Sequence, residues 1–212
     1  MTRSLSAAEG TRLALLEAGL HLFGQKGFAA TSIRGIASRA DTNIASIAYH
    51  FSSKDGLRQA CAAECARRIG AVMLPTALAS LDPLAAQGAL RQMLKRTVTF
   101  IVGSAEAGAI VPFMLREITE DGPGVDNVYS SLIEPAHRHF CTLLAQARGM
   151  AAESEEVKLT VFSLIGQVLY FCIGARVVSR RMGWQDIGPA EIDKITKQLL
   201  RNLDAVLAAK EA

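Results

Sequence analysis

The stretch DTNIASIAYHFSSKDGL, residues 41–57, places short polar side chains beside small apolar ones between two helical patterns. Asn43 and Ser46 are short enough to approach base edges in a major groove and to hydrogen-bond there. Ile44 and Ala45 offer methyl groups of the kind that contact a thymine methyl. These residue types at this spacing predict a surface that reads double-stranded DNA.

A second group of side chains flanks this segment and suits the phosphate backbone. The phenol of Tyr49 and the ammonium of Lys54 can reach phosphate oxygens and fix the register of a protein on a duplex. Backbone N–H groups at the helix starts after Thr31 and near Lys54 are also good phosphate ligands. The predicted DNA-binding residues are Thr31, Ser32, Asn43, Ile44, Ala45, Ser46, Tyr49, His50 and Lys54.

The elements that hold these residues follow from apolar periodicity and from capping residues. The first part of the chain is predicted to form helices over residues 11–26, 32–39, 44–51 and 54–75. Gly27 is predicted to end the first helix as a left-handed C-cap. Thr31 and Asn43 are predicted as N-caps of the second and third helices. Ser52 and Asp55 form an S-x-x-D pattern that predicts the start of the fourth.

Two short helices joined by a tight turn form a helix-turn-helix. Apolar residues must fill the place where the helices cross, and the second helix must keep one polar face outward. The residues predicted to face inward are Ile33, Ile36, Ala37, Ile47 and Phe51. Such patterns also occur in proteins that never touch DNA, so three packed helices without a partner stay an alternative on pattern alone.

Composition favours an all-α globular protein whose first quarter is basic. The chain is 50% hydrophobic and 20% charged, which excludes a disordered class. Residues 1–60 hold seven Lys/Arg and four Asp/Glu, whereas the remaining residues hold 16 of each sign. The whole net charge of +3 therefore lies in the first quarter, which suits a polyanionic partner. An ordinary solvated surface explains so small an excess equally well.

The helical pattern continues to the end of the chain. Further helices are predicted over residues 84–102, 106–119, 125–148, 154–181 and 189–209. The opening MTRSLSAAEG lacks the apolar region of a secretory signal. The longest uncharged apolar run, residues 159–175, is shorter than the roughly 20 residues that span a membrane. We therefore expect a cytoplasmic protein without a membrane partner, in which this run forms a buried helix.

Residues 11–58 resemble the DNA-binding domain of TetR-family transcriptional regulators. The matching stretch is FGQKGFAATSIRGIASRADTNIASIAYHFSSKDGL. The residues that match the family pattern are Phe23, Gly27, Thr31, Ile36, Ala37, Ala40, Tyr49, His50, Phe51, Lys54 and Leu57. Asp41 stands where the family usually has a turn glycine, and aspartate tolerates the left-handed geometry better than most residues. Thr42 and Asn43 replace the usual Val-Ser, and Ala48 stands where many members carry an aromatic residue.

This resemblance implies the architecture and the activity. It implies an all-α protein with a three-helix helix-turn-helix DNA-binding domain over residues 8–68 and a helical ligand-binding and dimerisation domain over residues 69–212. Such a homodimer represses transcription at a pseudo-palindromic operator, and a small-molecule effector relieves the repression. The C-terminal part weakly resembles the CecR-like subgroup, through Arg116, Glu117, Ile118, Glu134 and Pro135.

The effector pocket and the dimer contact are assigned from apolar patterns. Pocket walls pair apolar side chains with a few polar groups. The residues predicted to line the pocket are Phe113, Met114, Arg116, His137, Phe140, Gln167, Tyr170 and Phe171. Of Arg116 and Glu117 we expect one to point inward and one outward. The predicted dimer contact is a four-helix arrangement of residues 154–181 and 189–209 with their copies.

Other reactive side chains give weaker patterns. Cys61 and Cys65 lie four residues apart on one helix, and His137 and Cys141 do so on another, but small buried residues and packing pairs explain them better than a metal site. No nucleophile with its base, phosphate loop or carboxylate pair is evident. The sequence therefore predicts no enzyme, no metal and no cofactor. The alternative is a small-molecule-binding enzyme or carrier with a vestigial DNA-binding module.

Overall fold

The computed structural model describes residues 6–74, 80–120 and 125–209. These residues form helices and loops with no strand among them, so the predicted all-α class is confirmed. The helices are α1 (Ala7–Ala30), α2 (Ile33–Arg39), α3 (Ala45–Phe51), α4 (Lys54–Met73), α5 (Pro83–Gly103), α6 (Ala107–Thr119), α7 (Val125–Val128), α8 (Glu134–Arg148), α9 (Glu155–Ile173), α10 (Ala175–Met182) and α11 (Pro189–Ala208). The predicted end of the fourth helix at Pro75 lies outside the described residues.

The chain packs as two compact units. The first contains Met1–Arg68 and Gly108–Ser131, and the second contains Ile69–Ala107 and Leu132–Ala212. Most of α6 thus packs with the helix-turn-helix, although it lies far from it in sequence. The assignment of DNA binding to residues 8–68 and of ligand binding to residues 69–212 stays a prediction.

The first helix of the first unit, α1, begins earlier and ends later than predicted. The Ser6 hydroxyl accepts a hydrogen bond from the Glu9 N–H at 3.2 Å, and the Glu9 carboxylate accepts one from the Ser6 N–H at 2.8 Å. This capping box is visible in the sequence and sets the true start. Gly27 has a φ of 78° and interrupts the helix, which confirms its predicted place at the break, although its ψ of 168° lies outside the left-handed helical region.

The start of α2 differs from the prediction by one residue. Ser32 is the N-cap, because its hydroxyl accepts a hydrogen bond from the Gly35 N–H at 3.0 Å. The predicted cap at Thr31 is wrong. Thr31 is only 3% exposed, and its hydroxyl donates to the carbonyl of Gly27 at 2.7 Å. In the turn that follows α2, Asp41 adopts a φ of 50°, which confirms that aspartate takes the left-handed geometry there.

Asn43 and two adjacent serines set the ends of α3. The Asn43 side-chain oxygen accepts a hydrogen bond from the Ala45 N–H at 2.9 Å and so satisfies a donor at the helix start, although the residue directly before α3 is Ile44 and not the predicted Asn43. Ser52 has a φ of 65° and ends α3. Ser53 takes the capping role at α4, where its hydroxyl accepts a hydrogen bond from the Gly56 N–H at 3.0 Å. The predicted S-x-x-D pattern is therefore wrong by one residue.

The crossing between α2 and α3 is filled largely as predicted. The residues buried there are Ile36, Ala37, Ile47 and Phe51. Ile33 is 43% exposed, so its predicted inward position is wrong. It is the first residue of α2, and periodicity alone placed it on the inner face.

In the second unit, α5 packs against α8, α9 and α11. Ile195, Leu199 and Leu203 of α11 are buried within this chain. At Gly103, a Cβ would lie 2.8 Å from Cδ1 of Ile192, so the absence of a side chain lets α11 approach α5 closely. The chain's own helices cover these three residues, and the predicted four-helix contact of residues 154–181 and 189–209 with their copies stays a prediction.

The helix predicted over residues 154–181 is two helices. Gly174 separates α9 from α10 with φ −90° and ψ 12°. A Cβ at this residue would lie 2.9 Å from the carbonyl oxygen of Tyr170. Glycine therefore allows the chain to change direction without a clash.

The helix predicted over residues 125–148 is also interrupted. A π-helical turn at Tyr129–Ile133 lies between α7 and α8. Pro135 follows it and cannot donate a backbone hydrogen bond, so a regular helix would leave the Ser131 carbonyl without its usual donor. A widened turn directly before a proline is consistent with that loss.

One face of α9 and α10 carries apolar side chains that this chain leaves uncovered. The α9 stripe is the exposed set at spacings of three or four residues: Leu159, Phe162, Gly166, Tyr170, Ile173 and Val177. By length and composition alone α9 is able to cross a membrane, yet only 22% of its apolar window is buried in the chain. The single chain therefore does not by itself bury the helix that was predicted to be buried. An uncovered apolar stripe of this kind is typical of an interaction surface.

Candidate nucleic-acid interface

The outward face of α3 presents small side chains with one large one beyond them. Asn43, Ile44 and Ala45 are exposed at the start of the helix. Tyr49 is 81% exposed, one helical turn farther on. The small residues allow the helix to lie deep in a groove, while the phenol extends far enough to meet the backbone at its edge.

Ser46 is held by a neighbour before any ligand arrives. Its hydroxyl lies 3.0 Å from the hydroxyl of Thr42, and either atom can donate. Ser46 is only half exposed. Because a hydroxyl accepts two hydrogen bonds and donates one, Ser46 keeps capacity for a base edge while its rotamer is restrained.

The residues predicted to contact phosphate differ in how far their side chains are exposed and free to bind. His50 is half-buried, and its ring makes an edge contact with the ring of Tyr49 at 4.8 Å. Lys54 is turned back toward its own chain, with its ammonium donating to the Phe28 carbonyl at 2.5 Å. The Thr31 side chain is buried, so it does not face a duplex, and the predicted phosphate contact of the backbone N–H groups after Thr31 stays a prediction. Ser32 is exposed but uses its hydroxyl to cap α2.

Two basic residues on α2 were missed by the sequence prediction. Arg34 and Arg39 are exposed on the helix that precedes the recognition segment. Their charge was counted in the basic first quarter of the chain, but neither side chain was assigned to a DNA contact. Both arginines lie in a helix that must pack beside α3, and this position could have indicated such a contact from the sequence.

The predicted pocket residues in the first unit are occupied by packing. Phe113 is buried, and its ring centroid lies 6.3 Å from that of Phe23. Met114 is buried as well. The Arg116 guanidinium donates to the carbonyls of Gly24 at 2.9 Å and Gln25 at 3.3 Å. These donors of Arg116 therefore bind the end of α1, and its assignment to the effector pocket stays a prediction.

The predicted pocket residues in the second unit have mixed surroundings. The ring of His137 lies 4.0 Å from that of Phe162, and its Nδ1 lies 3.5 Å from the sulfur of Cys141. Phe140 is buried, whereas Tyr170 is exposed and Phe171 half-exposed. Gln167 accepts a hydrogen bond from the Asn202 amide at 2.7 Å. His137 and Cys141 are thus in contact, which fits either a packing pair or a pocket-lining pair, and no group of three metal ligands occurs among the described residues.

The first unit has an open cleft that the sequence did not predict. Its volume is about 550 Å³. Alanine side chains and a charged rim line it: Ala14, Glu17, Ala18, His21, Arg39, Ala40, Asp41 and Ala109. Burial, with Arg39 nearby, lowers the pKa of His21. None of the eight residues predicted for the effector pocket is among those lining this cleft.

A buried ion pair joins α4 to α6 within the first unit. The Nε of Arg58 donates to a carboxylate oxygen of Glu117 at 2.6 Å, and both side chains are less than a tenth exposed. The prediction that one of Arg116 and Glu117 points inward is confirmed, since Glu117 is 2% exposed. Its second carboxylate oxygen has no hydrogen-bond partner among the described residues.

Cys61 and Cys65 lie in the core of the first unit, as predicted. Both are fully buried, and the thiol of Cys61 lies 3.7 Å from the carbonyl of Leu16. A Cβ at Gly19 would lie 2.9 Å from the Cys61 sulfur, so α1 and α4 are in close contact there. Burial raises the pKa of both thiols, which keeps them protonated and unreactive near neutral pH.

Two family models match the chain. One, described as "Bacterial regulatory proteins, tetR family", matches residues 15–61. The other, described as "HTH-type transcriptional dual regulator CecR, C-terminal domain", matches residues 86–210. The HTH-type transcriptional dual regulator CecR of Shigella flexneri is 29% identical over 206 residues, covering 94% of this chain and 92% of that protein.

Solved structures share the fold. AibR, in complex with isovaleryl coenzyme A and operator DNA, has a TM-score of 0.68 at 17% identity over 90% of this chain and 96% of that chain. A TetR-like transcriptional regulator from Rhodococcus sp. RHA1 has a TM-score of 0.65 at 20% identity over 98% of this chain and 100% of that chain. At such identities the likeness supports the arrangement of helices and no more.

Proposed function

Because the chain belongs to the TetR family of bacterial regulatory proteins, with a C-terminal domain of the CecR type, we propose that it represses transcription as a homodimer on a pseudo-palindromic operator. The resemblance predicted from residues 11–58 and from the C-terminal part is confirmed. The chain is a DNA-binding transcriptional regulator. Repression and the dimeric state are the parts that we propose.

The observation that carries the proposal is the outward face of α3. It combines exposed small side chains, a restrained hydroxyl at Ser46 and a protruding phenol at Tyr49. We assign base reading to Asn43, Ile44 and Ser46, since their side chains are short enough for a major groove. Tyr49 serves as a phosphate contact that sets the register on the duplex.

The dimer is supported by the α9 stripe. Its six exposed positions lie on one side of α9 and α10, opposite the residues of α9 that pack inside the chain. A two-fold dimer places the same stripe of both copies in contact, so one patch covers itself. A partner copy suits α9 better than a membrane, because α9 packs on α8 and α11, whose outer faces carry charged residues.

An effector acts by favouring one spacing between the two α3 helices of the dimer. If the effector binds better to the dimer in which the two α3 helices do not match successive major grooves, the population shifts to that form. A coupling of about 1–3 kcal/mol lowers DNA affinity about 5- to 150-fold.

The alternative was an enzyme or carrier with a vestigial DNA-binding module. The curated relatives are named transcriptional regulators, and no observation on the chain favours a catalytic role. We therefore propose that the protein is not an enzyme and that it works in the cytoplasm, where its operator is. Its partners are double-stranded DNA, a small-molecule effector and a second copy of itself.

The decisive measurement is a shift assay on the promoter region beside the protein's own gene, over a series of salt concentrations. We expect the logarithm of the association constant to fall linearly with the logarithm of the salt concentration, by about 0.9 for each phosphate contacted. A slope near zero would remove DNA binding as the function and return the enzyme or carrier to first place.

Two single substitutions on α3 separate its two kinds of contact. Tyr49→Phe removes one phosphate hydrogen bond, so it is expected to weaken binding to every duplex by a similar factor, about 3- to 10-fold. Ser46→Ala is expected to change the preference among base sequences, with unrelated DNA bound as before. A Tyr49→Phe protein whose loss depends on the base sequence would contradict the assignment of Tyr49.

A further inference from the structure

Lys54 is held in place by the ring and the carbonyl of one residue, Phe28. Its ammonium lies 4.1 Å from the centroid of the Phe28 ring and donates to the Phe28 carbonyl at 2.5 Å. An ammonium has three N–H groups, so two have no acceptor among the described residues. The side chain is half-buried at the first residue of α4, three residues after Phe51, the last residue of α3.

A second cation lies over the same ring. The Cζ of Arg58 is 4.6 Å from the Phe28 centroid. Two cations that contact one aromatic ring repel each other, and burial strengthens that repulsion. The Glu117 carboxylate, 2.6 Å from the Arg58 Nε, supplies the compensating negative charge. The positive charge of Arg58 is thereby neutralised, so Lys54 can keep its contact with the Phe28 ring.

We propose that Phe28, Arg58 and Glu117 are positioning residues for Lys54, holding its ammonium so that the free N–H groups meet an operator phosphate. This inference rests on the proposed function. A lysine that is already ordered gives up less rotamer freedom when it binds a phosphate than one that is mobile. The Phe28 cluster, defined as Phe28, Lys54, Arg58 and Glu117, therefore strengthens DNA binding without three of its members touching DNA.

Through the cluster, the phosphate contact proposed for Lys54 depends on the position of α6. Glu117 belongs to α6, while Arg58 and Lys54 belong to α4, and Phe28 lies just after the break at Gly27. A movement that takes the Glu117 carboxylate away leaves Arg58 as an uncompensated cation beside Lys54. The ammonium is then repelled from the ring, and the phosphate contact loses its orientation.

The test measures how DNA binding depends on salt concentration for four full-length proteins. They are the unchanged chain, Lys54→Ala, Phe28→Leu and the double variant. The probe is a duplex of the promoter region, with an unrelated duplex beside it. Lys54→Ala is expected to reduce the slope by about 0.9, the value of one phosphate contact. Phe28→Leu keeps the carbonyl and the apolar bulk but removes the aromatic face, so it is expected to reduce the slope by part of that amount and weaken binding several-fold.

The double variant distinguishes positioning from general damage. If Phe28 acts through Lys54, the double variant binds as Lys54→Ala does, because the effects are not additive. Phe113→Leu is the matched control, since it removes another buried ring of the same unit that has no cation over it among the described residues. It is expected to lower stability and leave the slope unchanged.

The outcomes separate failure of this inference from failure of the proposed function. If the unchanged chain ignores both duplexes at low ionic strength, DNA binding itself is wrong. If it binds with a steep slope that Lys54→Ala leaves unaltered, only the phosphate role of Lys54 and its positioning are overturned. A loss from Phe28→Leu that persists in full in the Lys54→Ala background overturns the positioning alone.

Discussion

Replacing Glu117 by alanine is expected to lower the free energy of unfolding by about 3–5 kcal/mol, because it leaves the Arg58 guanidinium buried without a counter-charge. The Arg58 side chain is 8% exposed, so water cannot take over the role of the carboxylate. Loss of one partner of a buried pair costs far more than loss of a surface pair, whose worth is at most about 1 kcal/mol. Denaturant titration at neutral pH, followed by circular dichroism, measures the change.

Two further variants identify the cause of that change. Glu120→Ala removes the partner of Arg116 in the turn directly after α6, but both side chains are more than a third exposed, so we expect a change within about 1 kcal/mol. The double change Arg58→Met with Glu117→Met removes both charges together and is expected to recover most of the lost stability. A Glu117→Ala protein no less stable than Glu120→Ala would show that the pair contributes little.

Replacing Gly166 by leucine is expected to convert the proposed dimer into monomers and to weaken operator binding by about 100-fold or more. A Cβ at Gly166 meets nothing within 4 Å among the described residues, so the single chain has room for the new side chain. A second copy packed on the α9 stripe does not. A monomer binds one half-site and loses the gain of linking two, which is commonly a factor of 10² to 10⁴.

Sedimentation and the shift assay read the two parts of this prediction separately. Gly88→Leu on α5 is the matched control, because Gly88 is also exposed in the middle of a helix and also has nothing within 4 Å of a Cβ among the described residues. It is expected to stay dimeric and to bind DNA normally. A Gly166→Leu protein that sediments as a dimer and binds the operator unchanged would exclude the α9 stripe as the contact.

Short-range patterns predicted the helix-turn-helix well. The turn at Asp41, the capping hydrogen bond of Asn43 and the break at Gly27 each depend on the geometry of one or two residues, which the sequence states directly. Where two hydroxyl residues stand side by side, the sequence does not decide between them. Ser32 and Ser53 are the true caps. Of their neighbours, Thr31 donates its hydroxyl to the Gly27 carbonyl, and Ser52 is the residue at which the backbone leaves α3.

Long-range pairing was beyond the reach of periodicity. Arg58 and Glu117 are 59 residues apart, and Arg116 is 92 residues from Gly24, so no local pattern joins them. Periodicity shows that α9 and α11 each carry apolar residues that need cover, but not which element supplies the cover. In the structure, α11 buries Ile195, Leu199 and Leu203 within the chain, whereas α9 keeps its stripe exposed.

The buried cysteines of α4 allow local unfolding of the first unit to be measured by thiol modification. A thiol reagent is expected to reach Cys61 only when α1 separates from α4, because its sulfur is buried against α1 and its raised pKa disfavours the reactive thiolate. The modification rate under native conditions therefore follows the frequency of that local unfolding. Operator DNA, by binding only the closed unit, slows the reaction in proportion to its occupancy.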